Sequence, residues 1–320
     1  MVGTNGRVLR ISLRLRVLAP ALLAGLAWAS APVSTLAAAA KQKTFATPEQ
    51  AVEALVSAAR ADKPSELVEI LGPDGKLLVY SGDPVADKEG RLKFVAAYDE
   101  ASKLVKQGDD KAALEIGQAE WPFPIPIVKE GDGWRFDTKA GKQEILARRI
   151  GRNELNTIEV CRAYVDAQRE YAAAASSGSG LREYAQRFMS RPGSHDGLYW
   201  QAAEGEAESP MGPLVASARA EGYGGKTSHG KRSPYHGYYY RILTKQGKHA
   251  PGGAFDYIVN GHMIGGFALV AFPAKYGDSG VMTFLVSHDG IVHEKDLGPD
   301  TAIIARRITA FDPDPSWKTP

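Results

Sequence analysis

From residue 142 to residue 175 the chain carries no proline and one glycine, Gly151, and past Leu155 its apolar side chains return every three or four positions. Ile158, Cys161, Val165, Gln168 and Ala172 make one row, and Val160, Tyr164, Ala167 and Tyr171 make the next. That spacing predicts one long helix with a broad buried face. The serine and glycine run at 176–180 ends it. After a connection rich in Pro and Gly, four runs read as strands: 238–243, 267–272, 281–286 and 291–294. His288-Asp289-Gly290 is a tight hairpin between the last two. The pattern predicts a helix laid across an antiparallel meander over 141–312, with 313–320 left as a tail.

The stretch 44–140 reads as a smaller helix-and-sheet domain. Thr47, Pro48 and Gln50 form a capping box, and Val52, Leu55, Val56 and Ala59 follow at helical spacing. A second helix at 64–71 stops at Gly72-Pro73-Asp74-Gly75. A third is expected over 87–106, with Leu92, Val95, Tyr98 and Leu104 on one side and a fray at Gly90. Runs at 112–117 and 123–128 are strand-like, and the turn at 130–133 leads into a half-buried edge strand at 134–137. The whole is α+β, the N-terminal layer pair having one concave face. In Trp121-Pro122-Phe123-Pro124-Ile125-Pro126 the prolines cannot donate to a ladder, so the run is either a stiff sheet edge or the wall of a ligand groove. Asp83, Asp87 and Glu89 lack the alternation of a calcium loop.

The first forty residues change the picture of where this chain works. Arg7, Arg10, Arg14 and Arg16 precede an apolar run at 17–28 and a small-residue exit at 34–40, the order of a secretory signal peptide. The apolar run of about twelve residues is short of the roughly twenty that span a bilayer. Cleavage is expected near Ala39 or Ala40, with a periplasmic or extracellular destination and no membrane span afterwards. Loss of the four arginines turns the net charge from +2 to −2, which gives no electrostatic case for nucleic acid. The 320 residues, 44% hydrophobic and 24% charged, suit two globular domains. One cysteine excludes an internal disulfide, and Cys161 on the apolar row reads as a buried small hydrophobe.

Candidate chemistry is sparse. A P-loop, a G-x-G-x-x-G between strand and helix, and a G-x-S-x-G elbow are all missing, so no cofactor is expected and no catalytic residue is assigned. His195, His229, His236, His249, His262, His288 and His293 crowd the second half, but without H-E-x-x-H spacing, and no metal site is assigned. The richest loops are Asp196-Gly197-Leu198-Tyr199-Trp200 and Pro234-Tyr235-His236-Gly237-Tyr238-Tyr239. Asp196, Tyr199, Trp200, Tyr235, His236 and Tyr238 are the candidate binding residues, since flat rings give contact area at low entropic cost. The competing reading is a strand that alternates its tyrosines between core and surface.

Several motifs carry resemblances. The N-terminal layer pair loosely resembles the cone-shaped nuclear transport factor two-like domains. Residues 152–155 with 166–171, and Gly277, Gly280, Thr283, Phe284 and the 289–291 turn, resemble type IV pilin and type II secretion pseudopilin heads. The hydrophobic first half of the pilin helix is missing, so that likeness implies a fold and not a filament. Across most of the chain, Trp121 to Pro126, Arg149-Ile150-Gly151-Arg152-Asn153-Glu154, 196–200, 234–239 and Glu294-Lys295-Asp296-Leu297-Gly298 resemble the bacterial secreted family called domain of unknown function 2950. These readings together give a non-catalytic cell-envelope module for a protein or glycan, of unassigned oligomeric state. The alternative is a periplasmic hydrolase of envelope polymers using His236 with a carboxylate such as Asp196. A third is an assembly subunit that adds a strand edge to a partner.

Overall fold

The computed structural model describes residues 42–224 and 233–320; the leader reading of 1–40 and His229 lie outside them. Helix α1 (Pro48–Arg60) begins at its capping signal: Thr47 accepts from the Gln50 amide at 3.2 Å, and Gln50 Oε1 accepts from the Ala46 amide at 3.3 Å. α2 (Pro64–Leu71) ends at Gly72, whose φ of 75° suits a residue without Cβ. A 3-10 turn (Pro73–Gly75) leads into the short α3 (Lys76–Val79), which the sequence pattern does not show. α4 (Pro84–Glu100) is capped by Asp83 and does not fray at Gly90.

The expected third helix is corrected at its end. Ala101 is extended, with φ −160°, and β1 (Ser102–Lys106) takes the residues that helical spacing had continued through. β2 (Lys111–Ile116), β3 (Trp121–Pro122), β4 (Ile127–Glu130) and β5 (Gly133–Phe136) complete an antiparallel sheet in the order β1-β2-β4-β5, with β3 beside β2. Of the run expected as a strand at 123–128 only Ile127 and Val128 are in one, β4, because the prolines interrupt the ladder. Val52, Leu55, Ile70, Leu114, Ile127 and Phe136 are among the residues buried between α1, α2 and this sheet.

α5 (Thr138–Ser179) is one unbroken helix, about 63 Å long at 1.5 Å per residue. Both predicted rows are buried along most of their length, but Leu155 is 67% exposed and falls outside them. The main sheet pairs β6 (Tyr238–Leu243) with β11 (Ala268–Pro273), β11 with β12 (Met282–Ser287) and β12 with β13 (Val292–Asp296), all antiparallel. In register, Arg241 faces Val270, Val270 faces Leu285 and Leu285 faces His293. α5 lies across β11, β12 and β13.

Between β6 and β11 the chain makes two small hairpins from β7 (Lys245–Gln246), β8 (Phe255–Asp256), β9 (Ile258–Val259) and β10 (His262–Met263). Helix α6 (Gly212–Ala220) precedes β6, and α7 (Thr301–Arg307) packs on β11, its last carbonyls capped by Arg241. The tail docks on the sheet, Lys318 bridging Glu294 on β13. Buried Gln168 exchanges hydrogen bonds of 2.8 Å with both backbone groups of Ala185 and donates to Tyr164 Oη at 3.0 Å.

Candidate functional site

The motif at 149–154 shows how α5 joins the two cores. Arg149 donates to the Leu77 and Leu78 carbonyls and pairs with buried Asp278. Asn153 donates to the Ser279 carbonyl at 2.9 Å, and Glu154 accepts from the Val281 and Met282 amides at 2.9 Å each. Three of its side chains are thus spent on the joint, whereas Arg152 is exposed and makes no hydrogen bond or ion pair among the described residues.

Beside this joint, between α4 and α5, lies a cavity of about 710 Å³. Its walls are largely apolar: Leu55 and Leu67 from α1 and α2, Phe94 from α4, Ile116 from β2, and Trp121 and Phe123 from the proline-interrupted run. That run is both things the sequence allowed, an edge against β2 and a cavity wall. Phe94 and Phe123 meet at 5.3 Å between ring centres, and Phe123 stands edge-on to Phe136. α5 contributes Ile145, Arg148, Arg149, Arg152 and Asn153, a single face at three- and four-residue steps. Arg148 lies over the Trp121 ring at 4.8 Å, a cation–π contact, and its Nε donates to Glu144 at 2.5 Å. Among the lining acids, Asp87 accepts from the Ser81 amide, and burial pushes its carboxyl above the usual range.

The predicted aromatic loops do not form one face. Strand alternation has put Tyr238 in the core, where it donates to the Met282 carbonyl at 2.9 Å, and Tyr199, in an isolated bridge to Met189, is only 8% exposed. Asp196 is held by the Arg191 amide and by Arg191, Ser194 and Arg187 side chains, and its carboxyl sits far below the usual range, chiefly because of the Arg191 amide bond. Trp200 stacks on His195 at 4.3 Å. The other loop is reached through α6 and the turn after it, where Arg219 covers Tyr199 and Tyr223 meets Tyr235.

Tyr235, His236, Gly237 and Tyr238 form a two-residue hairpin with positive φ at His236 (50°) and Gly237 (76°), bonded in both directions between Tyr235 and Tyr238. Its tip is latched onto Asp83. One carboxylate oxygen of Asp83 accepts from the Val85 and Ala86 amides and so caps α4, while the other accepts from Gly237 N and Tyr223 Oη, both at 2.9 Å. Asp83 and Asp87, weighed above as calcium ligands, are thus occupied by backbone amides. The carboxylate beside His236 is Glu221 at 3.5 Å, not Asp196. Burial lowers the His236 pKa, opposed by Glu221 and Asp83.

Three other histidines pair singly with a carboxylate: His195 with Glu206, His249 with Asp312 and His262 with Glu183. Among the described residues no three His, Cys, Asp or Glu side chains gather as a metal would need. Cys161 is fully buried, which pushes its thiol up to about 12. The cavity went unread in the sequence because its walls come from α1, α2, α4, β2, β3 and α5; the small residues Ala86, Gly90 and Ala97 around Phe94 were the available signal.

No curated protein and no solved structure matches the chain. Residues 42–319 match the model of the family described as Protein of unknown function (DUF2950), and the chain belongs to that family.

Proposed function

We propose that this protein is an exported, non-catalytic binding module of the cell envelope whose ligand site is the cavity between α4 and α5. The observation that carries the reading is the cavity itself: about 710 Å³ of apolar space walled by Phe94, Trp121 and Phe123, with charged groups on α5 alongside. Sites for small molecules have this size and this mixture of apolar wall and few polar groups. Export to the periplasm or exterior rests on the order of arginines, apolar run and small residues in 1–40. Among the described residues no helix is long and apolar enough to cross a membrane. The likeness to pilin heads, resting on α5 over an antiparallel meander, belongs to the same proposal and suits an envelope location.

The test uses a neutral apolar probe, N-phenyl-1-naphthylamine, whose fluorescence rises on leaving water. Gly90 lines the cavity, and a Cβ added there meets nothing within 4 Å. Gly90→Leu puts a bulky group at the wall and raises helix propensity. The wild type binds one probe per chain, and the variant binds it at least about tenfold more weakly with no loss of stability. Equal binding by both proteins overturns the assignment.

A second reading keeps an envelope protein or glycan as partner at the loop around Trp200. It draws on one observation: Trp200 is half-buried against His195, and its Nε1 has no hydrogen-bond partner among the described residues. A hydrolase built on His236 and Asp196 finds no such support, since Asp196 is engaged elsewhere.

A further inference from the structure

We infer that the cavity takes a single-chain amphiphile with an anionic head, a carboxylate or phosphate on a long alkyl chain, with the head on Arg148 and Arg152 and the chain against Phe94 and Phe123. This rests on the cavity being the ligand site and states what that site selects.

Charge is the first argument. Arg148 and Arg152 are four residues apart on α5, so they lie on one helix face, and both line the cavity. Like charges at that spacing repel, and an anion between them reverses the sign of the interaction. Arg152 has no partner among the described residues. Arg148 gives only its Nε to Glu144, an exposed pair that holds it weakly, and its guanidinium plane is fixed over Trp121.

Most of the remaining lining charges are already matched, Glu100 being the exception among the described residues. Arg149 is spent on Asp278, Arg91 on Asp62 and Lys93 on Glu89. Asp87 faces the Ser81 amide, and Glu100 stands at the opposite end of α4 from it. Arg152 and the weakly held Arg148 are thereby the lining cations left free to take an anion.

The walls supply the second argument. Leu55, Leu67, Ile116 and Phe123 offer no hydrogen bonds, so a glycan buried there would leave its hydroxyls unpaired, at a cost an alkyl chain does not incur.

The test is calorimetric titration of the purified protein with tetradecanoate, tetradecyl phosphate and tetradecanol, the anions below their micellar concentrations and the alcohol below its solubility limit, and with the dodecyl series. The two anions bind at least about tenfold more tightly than the alcohol, and each methylene removed weakens binding about fourfold. R148Q/R152Q removes the tenfold preference, the anions then binding no more tightly than the alcohol. Its urea midpoint falls by no more than about 1 kcal/mol of stability, since Arg152 makes no hydrogen bond or ion pair among the described residues and Arg148 loses one exposed pair and one cation–π contact. A carboxylate that outranks the phosphate points to fatty acids, and the reverse order to alkyl phosphates; either supports the inference. An alcohol as tight as the anions, or an unchanged preference in the double variant, overturns the head-group assignment while the cavity reading stands. If neither the neutral probe nor any alkyl chain binds, the cavity reading falls too. Protein retained by anionic phospholipid vesicles but not by the monomeric ligands would place the contact on a membrane surface and overturn the inference.

Discussion

Replacing Asp83 with alanine removes four hydrogen bonds at one buried point, those from Val85 N, Ala86 N, Gly237 N and Tyr223 Oη. Loss of an N-cap costs about 1 kcal/mol. Gly237 N and Tyr223 Oη are then left inside the protein without their acceptor, at about 1–3 kcal/mol each. Relief from burying a carboxylate offsets part of this, since Asp83 is 1% exposed. The net expectation is a loss of about 3 kcal/mol, or a fall in Tm of roughly 6–12 °C for a chain of this size. Urea unfolding followed by tryptophan fluorescence reads it. Tyr223→Phe removes one donor and costs about 1 kcal/mol, and a double-mutant cycle between the two positions shows coupling of at least about 0.5 kcal/mol. A loss below about 1 kcal/mol in Asp83→Ala, with strict additivity in the cycle, would refute the latch between the α4 cap and the His236 hairpin.

Three further outcomes follow from packing and titration. In Gly141→Ala the new Cβ lies 2.3 Å from the Pro124 carbonyl oxygen, a backbone neighbour that cannot swing away, so the variant loses about 2 kcal/mol or more. Gly151→Ala, in the same helix with open space, gains about 0.5–1 kcal/mol, and urea midpoints separate the two. His236 has its pKa held below its ordinary 6.5 by burial, so the unfolded chain binds the proton more readily. Its contribution to stability is complete above pH 6.5 and is lost as pH falls toward the folded-state pKa. His236→Asn keeps a residue that tolerates positive φ, and its urea midpoint therefore falls less between pH 7 and pH 5 than the wild type's; parallel slopes would contradict this. Cys161 reacts with a thiol reagent at least about a thousandfold more slowly in the folded protein than in denaturant, because only opening of the fold exposes it.

What the sequence disclosed about the fold depended on how long each pattern ran. α5 was legible because Ile158, Cys161, Val165, Gln168 and Ala172 hold one period over about four turns, and β11 and β12 because each is a nearly continuous apolar run. α3, α6 and the two-residue strands of the small hairpins are too short to set up a period. At Glu100 the pattern misled: Leu104 and Val105 fit both a helical row and the half-exposed β1, and only the extended Ala101 settles it. The loops around Tyr199 and Tyr238 looked like a binding face because composition does not reveal which side chains of a loop or strand point inward. The cavity stayed hidden for the opposite reason, since Leu55, Phe94, Trp121 and Arg152 come together only in the folded chain.

Quenching of tryptophan fluorescence by a brominated tetradecanoate measures directly where a ligand sits. Trp121 lines the cavity, while Trp200 belongs to the aromatic loop. Saturable quenching in the wild type that is lost in Trp121→Phe and kept in Trp200→Phe is the predicted result. Quenching that survives Trp121→Phe and disappears in Trp200→Phe, or no quenching at all, would contradict the account.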